Sequence, residues 1–274
     1  MTPHTADRPR LVFAHANGFP GLSYKSLLAP LGDTFAVHTL ECLGHDPDYP
    51  VEHNWNALVE ELLDSLPPPS AGPVLGVGHS LGGILMAMAA RRQPQRFRGV
   101  IMLDSPLMLG PDALVMKVAK RLGLMDRITP AGKTSRRRRY WPSREAMADS
   151  LRHRSLFRRF TPEALDDYVQ AGSRDREDGR IALAFDPAVE ARIFRHLPDN
   201  LSRLPGRLEV PTVVIAGEAS DLLTATRIRR LERRGLTVLG TPGAHMFPME
   251  CPEATRAAIR RAWTLIRDAD GRAP

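Results

Sequence analysis

The pentapeptide Gly78-His79-Ser80-Leu81-Gly82 sets a serine among glycines, directly after the apolar run Val74 to Val77 and before a helical pattern that begins at Leu81. A tight strand-to-helix turn forces a strained backbone on Ser80, and the flanking glycines remove the Cβ atoms that would collide with strand and helix. The hydroxyl then stands at the carboxyl end of a sheet, where the N–H groups of a helix start favour a developing negative charge. The chemistry this implies is nucleophilic attack by Ser80.

A serine hydroxyl is a weak nucleophile until a base takes its proton, so the pattern demands a histidine within reach and an acid to orient it. The histidine expected in that role is His245, in the Gly/Pro-punctuated run Thr241-Pro242-Gly243-Ala244-His245-Met246-Phe247-Pro248. The acid expected is Asp221, just beyond the apolar run that ends at Ala216, with Asp104 and Glu218 as competitors because each also follows an apolar run. His79 alternates away from Ser80 and reads as a packing residue, and His45 reads as a structural loop residue. His38, His53, His153 and His196 carry no spacing that marks them for chemistry.

These side chains need a scaffold, and residues 10 to 105 supply its pattern: short apolar runs alternate with helical ones, the signature of βαβ units and a parallel sheet. Leu11 to Ala14, Phe35 to Leu40, Val74 to Gly78 and Val100 to Leu103 read as strands, and Ser23 to Leu31, Trp55 to Leu66 and Leu81 to Arg92 as helices. From Pro106 to Arg207 the β-branched runs disappear and Arg-rich amphipathic stretches such as Ser143 to Phe160 and Pro162 to Ala171 take over, which predicts a helical insertion. Strand character returns at Val210, followed by a helix over Ala225 to Arg234, a strand over Leu236 to Leu239 and a last helix from Pro252 to Asp268. The expected organisation is therefore an α/β core made of residues 1–105 and 208–274, with residues 106–207 as a helical cap.

The bulk composition narrows the partners. A chain of 274 residues with 43% hydrophobic content buries a sizeable core without metals or disulfides. Cys42 and Cys251 show no metal-ligand spacing and read as free thiols, so no metal is expected. The formal charge of +7 invites a nucleic-acid reading, but the arginines are spread over the chain without a recognisable binding motif, so no nucleic-acid partner is expected. No stretch has the length of a signal peptide core or a membrane helix, which leads to the expectation of a cytoplasmic protein with no membrane partner. The run Arg136 to Arg139 reads as a solvated face of the insertion, with an anion dock as the sharper alternative.

Taken together, His15-Ala16-Asn17-Gly18, Leu43-Gly44-His45-Asp46, the Ser80 pentapeptide, the Asp221 loop and Gly243-Ala244-His245-Met246-Phe247-Pro248 resemble the α/β-hydrolase family across nearly the whole chain. The order Ser80, Asp221, His245 is the one that family uses. The resemblance implies a lidded serine hydrolase without cofactor and a small-molecule substrate. It also implies that His15 holds the loop after the first strand, and that the oxyanion is met by the backbone N–H groups of Leu81 and Asn17, with Gly18 as the alternative to Asn17, since Ala16 stands where the family usually has glycine. Serine at position 80 argues against the aspartate-nucleophile members. Ester cleavage of the carboxylesterase kind is the leading expectation, with carbon-carbon hydrolysis or perhydrolysis by the same residues as the alternative. A binding protein that kept the fold and lost the chemistry is the non-enzymatic one. Phe19, Pro20 and Tyr24 are expected to line the pocket, with Trp141 and Met108 as further candidates.

Overall fold

A computed structural model of the chain describes residues 8–269 and residue 271; the expectation of no leader rests in part on residues 1–7, which lie outside the described residues. Six strands form one parallel sheet in the order β2-β1-β3-β4-β8-β9. They are β1 (Arg10–Ala14), β2 (Ala36–Thr39), β3 (Val74–His79), β4 (Phe97–Leu103), β8 (Thr212–Gly217) and β9 (Thr237–Thr241). The central strands are buried on both faces, as the near-continuous apolar runs of β3 and β4 require. The edge strand β2, with its His38 exposed, is only partly covered.

Side-chain alternation along these strands divides the core in two. Leu11, Phe13, Leu75, Val77, Ile101 and Leu103 face α1 (Lys25–Leu28) and α12 (Pro252–Ala269), whose Ile259, Trp263 and Ile266 complete that layer. Val12, Ala14, Val74, Val100 and Met102 face α2 (Asn56–Asp64) and α3 (Leu81–Arg92) on the other side. Helix α3 is buried nearly all round, so it needs little amphipathicity. The chain passes from β1 outward to β2 and then back across to β3, so the strand order reverses between β1 and β3. In open α/β sheets ligands bind in the crevice at such a reversal, beyond the carboxyl ends of the strands.

Between β4 and its sheet neighbour β8 the chain inserts α4 (Pro111–Arg121), α5 (Met125–Ile128), α6 (Ala131–Thr134), α7 (Arg144–Arg152), α8 (Pro162–Ala171) and α9 (Pro187–Arg195). The insertion is not purely helical. β5 (Tyr140–Trp141), β6 (Ser173–Asp175) and β7 (Ile181–Leu183) make a small antiparallel sheet in the order β5-β7-β6. These strands are too short to show a period-2 pattern, which is why sequence patterning misses them. The helix expected over Ser143 to Phe160 stops at Arg152, and the turn beyond it brings Phe157 and Phe160 onto Phe19. After β8 follow α10 (Ala225–Glu232) and, beyond β9, α11 (Phe247–Glu250). No helix among the described residues is long and apolar enough to cross a membrane.

Candidate active site

Ser80 occupies the turn between β3 and α3 at φ 53°, ψ −112°, a conformation that non-glycine residues rarely adopt and that costs about 1–3 kcal/mol. The surroundings enforce it. A Cβ on Gly78 would overlap the backbone of Gly82, and one on Gly82 would overlap the Ala14 carbonyl, so only glycine lets α3 approach the sheet this closely. The Ser80 N–H donates to Leu103 O at 2.9 Å, tying the turn to the end of β4. Ser80 itself is half-buried.

The residue that follows β4 is Asp104, fully buried and also at positive φ, 39°. His245 Nδ1 donates to Asp104 Oδ2 at 2.8 Å. Ser220 Oγ donates to the same oxygen at 2.6 Å, and the Gly217 N–H donates to Asp104 Oδ1 at 3.1 Å. Ser220 Oγ in turn accepts from the N–H groups of Leu222 and Leu223 at 3.1 and 3.3 Å. A buried carboxylate is tolerable only when its oxygens are hydrogen-bonded, and this cradle meets both of them.

The acid at His245 is thus Asp104 rather than the expected Asp221, which lies exposed one residue beyond Ser220. The reason is strand adjacency. In the register of β3 with β4, His79 pairs with Leu103, so the residues that follow, Ser80 and Asp104, leave adjacent strands side by side. β8 lies one strand further from Ser80, and its end contributes Ser220 as a donor to Asp104 instead of an acid of its own. Glu218 is likewise exposed. Sequence reasoning missed Ser220 altogether, since a lone serine in a loop carries no pattern.

His245 sits in the loop between β9 and α11, a loop pinned where Ala244 N–H donates to Glu250 Oε2 at 2.8 Å. Its backbone carbonyl accepts from His79 Nε2 at 2.9 Å, and the two imidazoles lie 5.0 Å apart. The turn that carries Ser80 and the loop that carries His245 are therefore joined through His79. His79 continues the network: with its proton on Nε2, its Nδ1 accepts from Tyr24 Oη at 2.7 Å, and that hydroxyl accepts from the Ala16 N–H at 3.2 Å. Burial holds His79 well below the ordinary imidazole range, so it stays neutral in this role. Tyr24, expected at the pocket, is instead fully buried inside this network.

The loop after β1 is held from a second side. His15 Nε2 accepts from the Leu43 N–H at 2.8 Å while its Nδ1 donates to Ala16 O at 2.9 Å, and burial lowers its pKa to about 4. The Ala16 N–H is engaged by Tyr24 and so is not available to a ligand oxygen. Among the described residues the N–H groups of Asn17 and Leu81 have no hydrogen-bond acceptor, which leaves both available for a ligand oxygen. His45 is a structural link: its Nε2 accepts from the Asp186 N–H at 3.0 Å and its ring stacks on Phe185 at 4.5 Å.

Trp141 is buried within the small sheet of the insertion, and Met108 packs against Met116, Ala119 and Met125. Phe19 and Pro20 are buried, with Phe19 against Phe157, Phe160 and Tyr168. The arginine run splits: Arg136, Arg138 and Arg139 are exposed, whereas Arg137 turns inward and pairs with Glu190.

The sequence matches the alpha/beta hydrolase family over residues 11–258. The chain belongs to that family. Among curated proteins it resembles the abhydrolase domain-containing protein AFT2-1 of Alternaria alternata, 34% identical over 117 residues, a match that spans only 40% of this chain and 40% of that protein. Among solved structures, E-2-(acetamidomethylene)succinate hydrolase superposes with a TM-score of 0.77 at 21% identity, covering 94% of this chain and 92% of that one. An esterase from Mycobacterium tuberculosis superposes with a TM-score of 0.65 at 20% identity over 93% and 84% of the two chains. At these identities the likeness is one of fold.

Proposed function

We propose that this α/β-hydrolase cleaves small-molecule esters through an acyl-enzyme on Ser80, with His245 as general base and Asp104 as the acid that orients it. The observation that carries the reading is the His245 Nδ1 to Asp104 Oδ2 hydrogen bond of 2.8 Å, made beside a nucleophile turn held at φ 53°. Asp104 keeps the proton on Nδ1, so Nε2 is free to accept the Ser80 proton as Oγ attacks the ester carbonyl. The Leu81 and Asn17 N–H groups meet the oxyanion of the tetrahedral intermediate. His245 passes its proton to the leaving alkoxide, and the acyl group stays on Ser80. Water then attacks the acyl carbon with the same base, releases the acid and restores the serine. No metal or organic cofactor enters these steps.

In this reading the insertion, residues 106–207, is a cap. The support is its aromatic contact with the loop after β1, where Phe19 meets Tyr168 at 4.9 Å and Phe157 at 6.0 Å between ring centroids.

The test is reaction with a fluorophosphonate probe and peptide mass mapping on the wild type and on Ser80→Ala, together with hydrolysis of p-nitrophenyl esters of increasing chain length. Labelling at Ser80 with ester turnover, both lost in Ser80→Ala, is the expected result. A folded wild-type protein that neither labels nor turns over refutes it and favours a binding protein on a hydrolase fold.

A further inference from the structure

The one arginine of the run 136–139 that turns inward makes an ion pair reaching the oxyanion loop. Arg137 Nη1 donates to the two Glu190 carboxylate oxygens at 3.1 and 2.8 Å, and Nη2 donates to Tyr168 Oη at 2.8 Å. The Glu190 side chain is only 3% exposed. The backbone carbonyl of the same residue accepts from Asn17 Nδ2 at 2.9 Å. The pair also sits directly on Gly18: a Cβ there would lie 2.6 Å from Glu190 Oε2 and 3.3 Å from Arg137 Nη1, and Gly18 adopts φ +79°. Three elements of the insertion, namely the segment after α6, helix α8 and helix α9, thus converge through one charge pair on the loop that carries a proposed oxyanion donor.

We infer that the Arg137–Glu190 pair, braced by Tyr168, is a positioning device through which the insertion sets the oxyanion loop. It holds Asn17 and Gly18 in place, and it neutralises a carboxylate that would otherwise oppose the negative charge forming nearby. This inference rests on the hydrolase reading above. Neither Arg137 nor Glu190 hydrogen-bonds to Ser80, Asp104 or His245 among the described residues, so the device acts on the oxyanion side, through the loop and through its charge balance.

The charge argument makes the device testable apart from simple loss of packing. The charged and titratable groups facing Glu190 are Arg137, Tyr168 and Asp186, the last paired with Arg139 at 3.2 Å and bonded to His45 through its backbone N–H. Burial pushes the Glu190 carboxyl up and Arg137 pulls it down. Without Arg137 only the upward influences remain, so Glu190 is neutral at low pH and becomes an unpaired buried carboxylate as pH rises. Because that charge opposes only the transition state, it lowers kcat rather than raising KM.

The experiment measures kcat and kcat/KM against pH on a p-nitrophenyl ester for wild type, Arg137→Met, Glu190→Gln and the double variant. Thermal melts and fluorophosphonate labelling of Ser80 report on folding. The expected result is a new limb in Arg137→Met, absent from wild type, along which kcat/KM falls as Glu190 ionises to a plateau about tenfold lower. The double variant loses that limb. Arg137→Gln keeps a donor for Glu190 without the charge and shows the same limb, which serves if the methionine variant does not fold. A folded Arg137 variant whose profile parallels wild type, or a limb that persists in the double variant, overturns the device while leaving the hydrolase reading intact. A wild type that neither labels nor turns over overturns both.

Discussion

Replacing Asp104 by asparagine removes one charge and leaves the side-chain shape intact. In the wild type Oδ2 accepts from both His245 Nδ1 and Ser220 Oγ, while Oδ1 accepts from the Gly217 N–H. If the asparagine oxygen stays toward Gly217, its NH2 group faces His245, drives the imidazole proton to Nε2 and leaves no base for Ser80. If the amide flips, NH2 meets the Gly217 N–H at the 3.1 Å where a carboxylate oxygen now accepts, a buried donor facing a donor that costs about 1–3 kcal/mol. The wrong-tautomer orientation therefore dominates, and the loss expected of a triad with its histidine so disarmed is about 10,000-fold in kcat, or about 5.4 kcal/mol of transition-state stabilisation. The assay is steady-state hydrolysis of a p-nitrophenyl ester at fixed pH, with thermal melts to verify folding. Asp221→Asn, at an exposed position, stays within about twofold of wild type, as surface substitutions usually do. A folded Asp104→Asn protein within tenfold of wild type, or an inactive Asp221→Asn protein, would refute the assignment.

Ser220→Ala takes away one donor to Asp104 and the acceptor for two N–H groups, so turnover is expected to drop about tenfold while KM stays level, read by the same esters. Gly82→Ala drives a Cβ into the Ala14 carbonyl, which is backbone and cannot yield; about 2 kcal/mol of stability and roughly 4–8 °C of Tm are expected to be lost in a calorimetric scan. Glu61, which accepts from the Gly44 N–H at 2.8 Å, has its pKa raised by burial to about 7. Its native state then holds a proton that the unfolded chain has released, so its contribution to stability is present below the ordinary carboxylate pKa and is lost as pH rises through about 7. Glu61→Gln is expected to flatten the pH dependence of urea midpoints over that window; an unchanged slope would remove Glu61 as its source.

The parallel sheet was legible because its signals are local. Strands buried on both faces read as apolar runs, α3 and α8 have the bounds that their Gly and Pro punctuation predicts, and the glycines at 78 and 82 announce a turn where no Cβ fits. For the same reason Ser80 and His245 were marked from sequence alone, each by its own surrounding pattern. The short strands β5, β6 and β7 were not, because two or three residues cannot show a period, and neither was the break in the helix after Arg152, which is decided by aromatic packing on Phe19.

What the sequence determined by itself was therefore the elements of the parallel sheet and which residue types could do chemistry. Which acid meets His245 is a question of neighbours in space. Asp104 and Asp221 both follow strands, and only the lateral order of the sheet, with β4 between β3 and β8, puts Asp104 beside the Ser80 turn and Ser220 against its carboxylate. The tertiary structure likewise decided that one arginine of the run at 136–139 turns inward onto Glu190 while the other three face solvent, since four identical residues carry no local signal to separate them. Local patterns follow from propensity and period, whereas the pairing of charges depends on which chain segments the fold packs together.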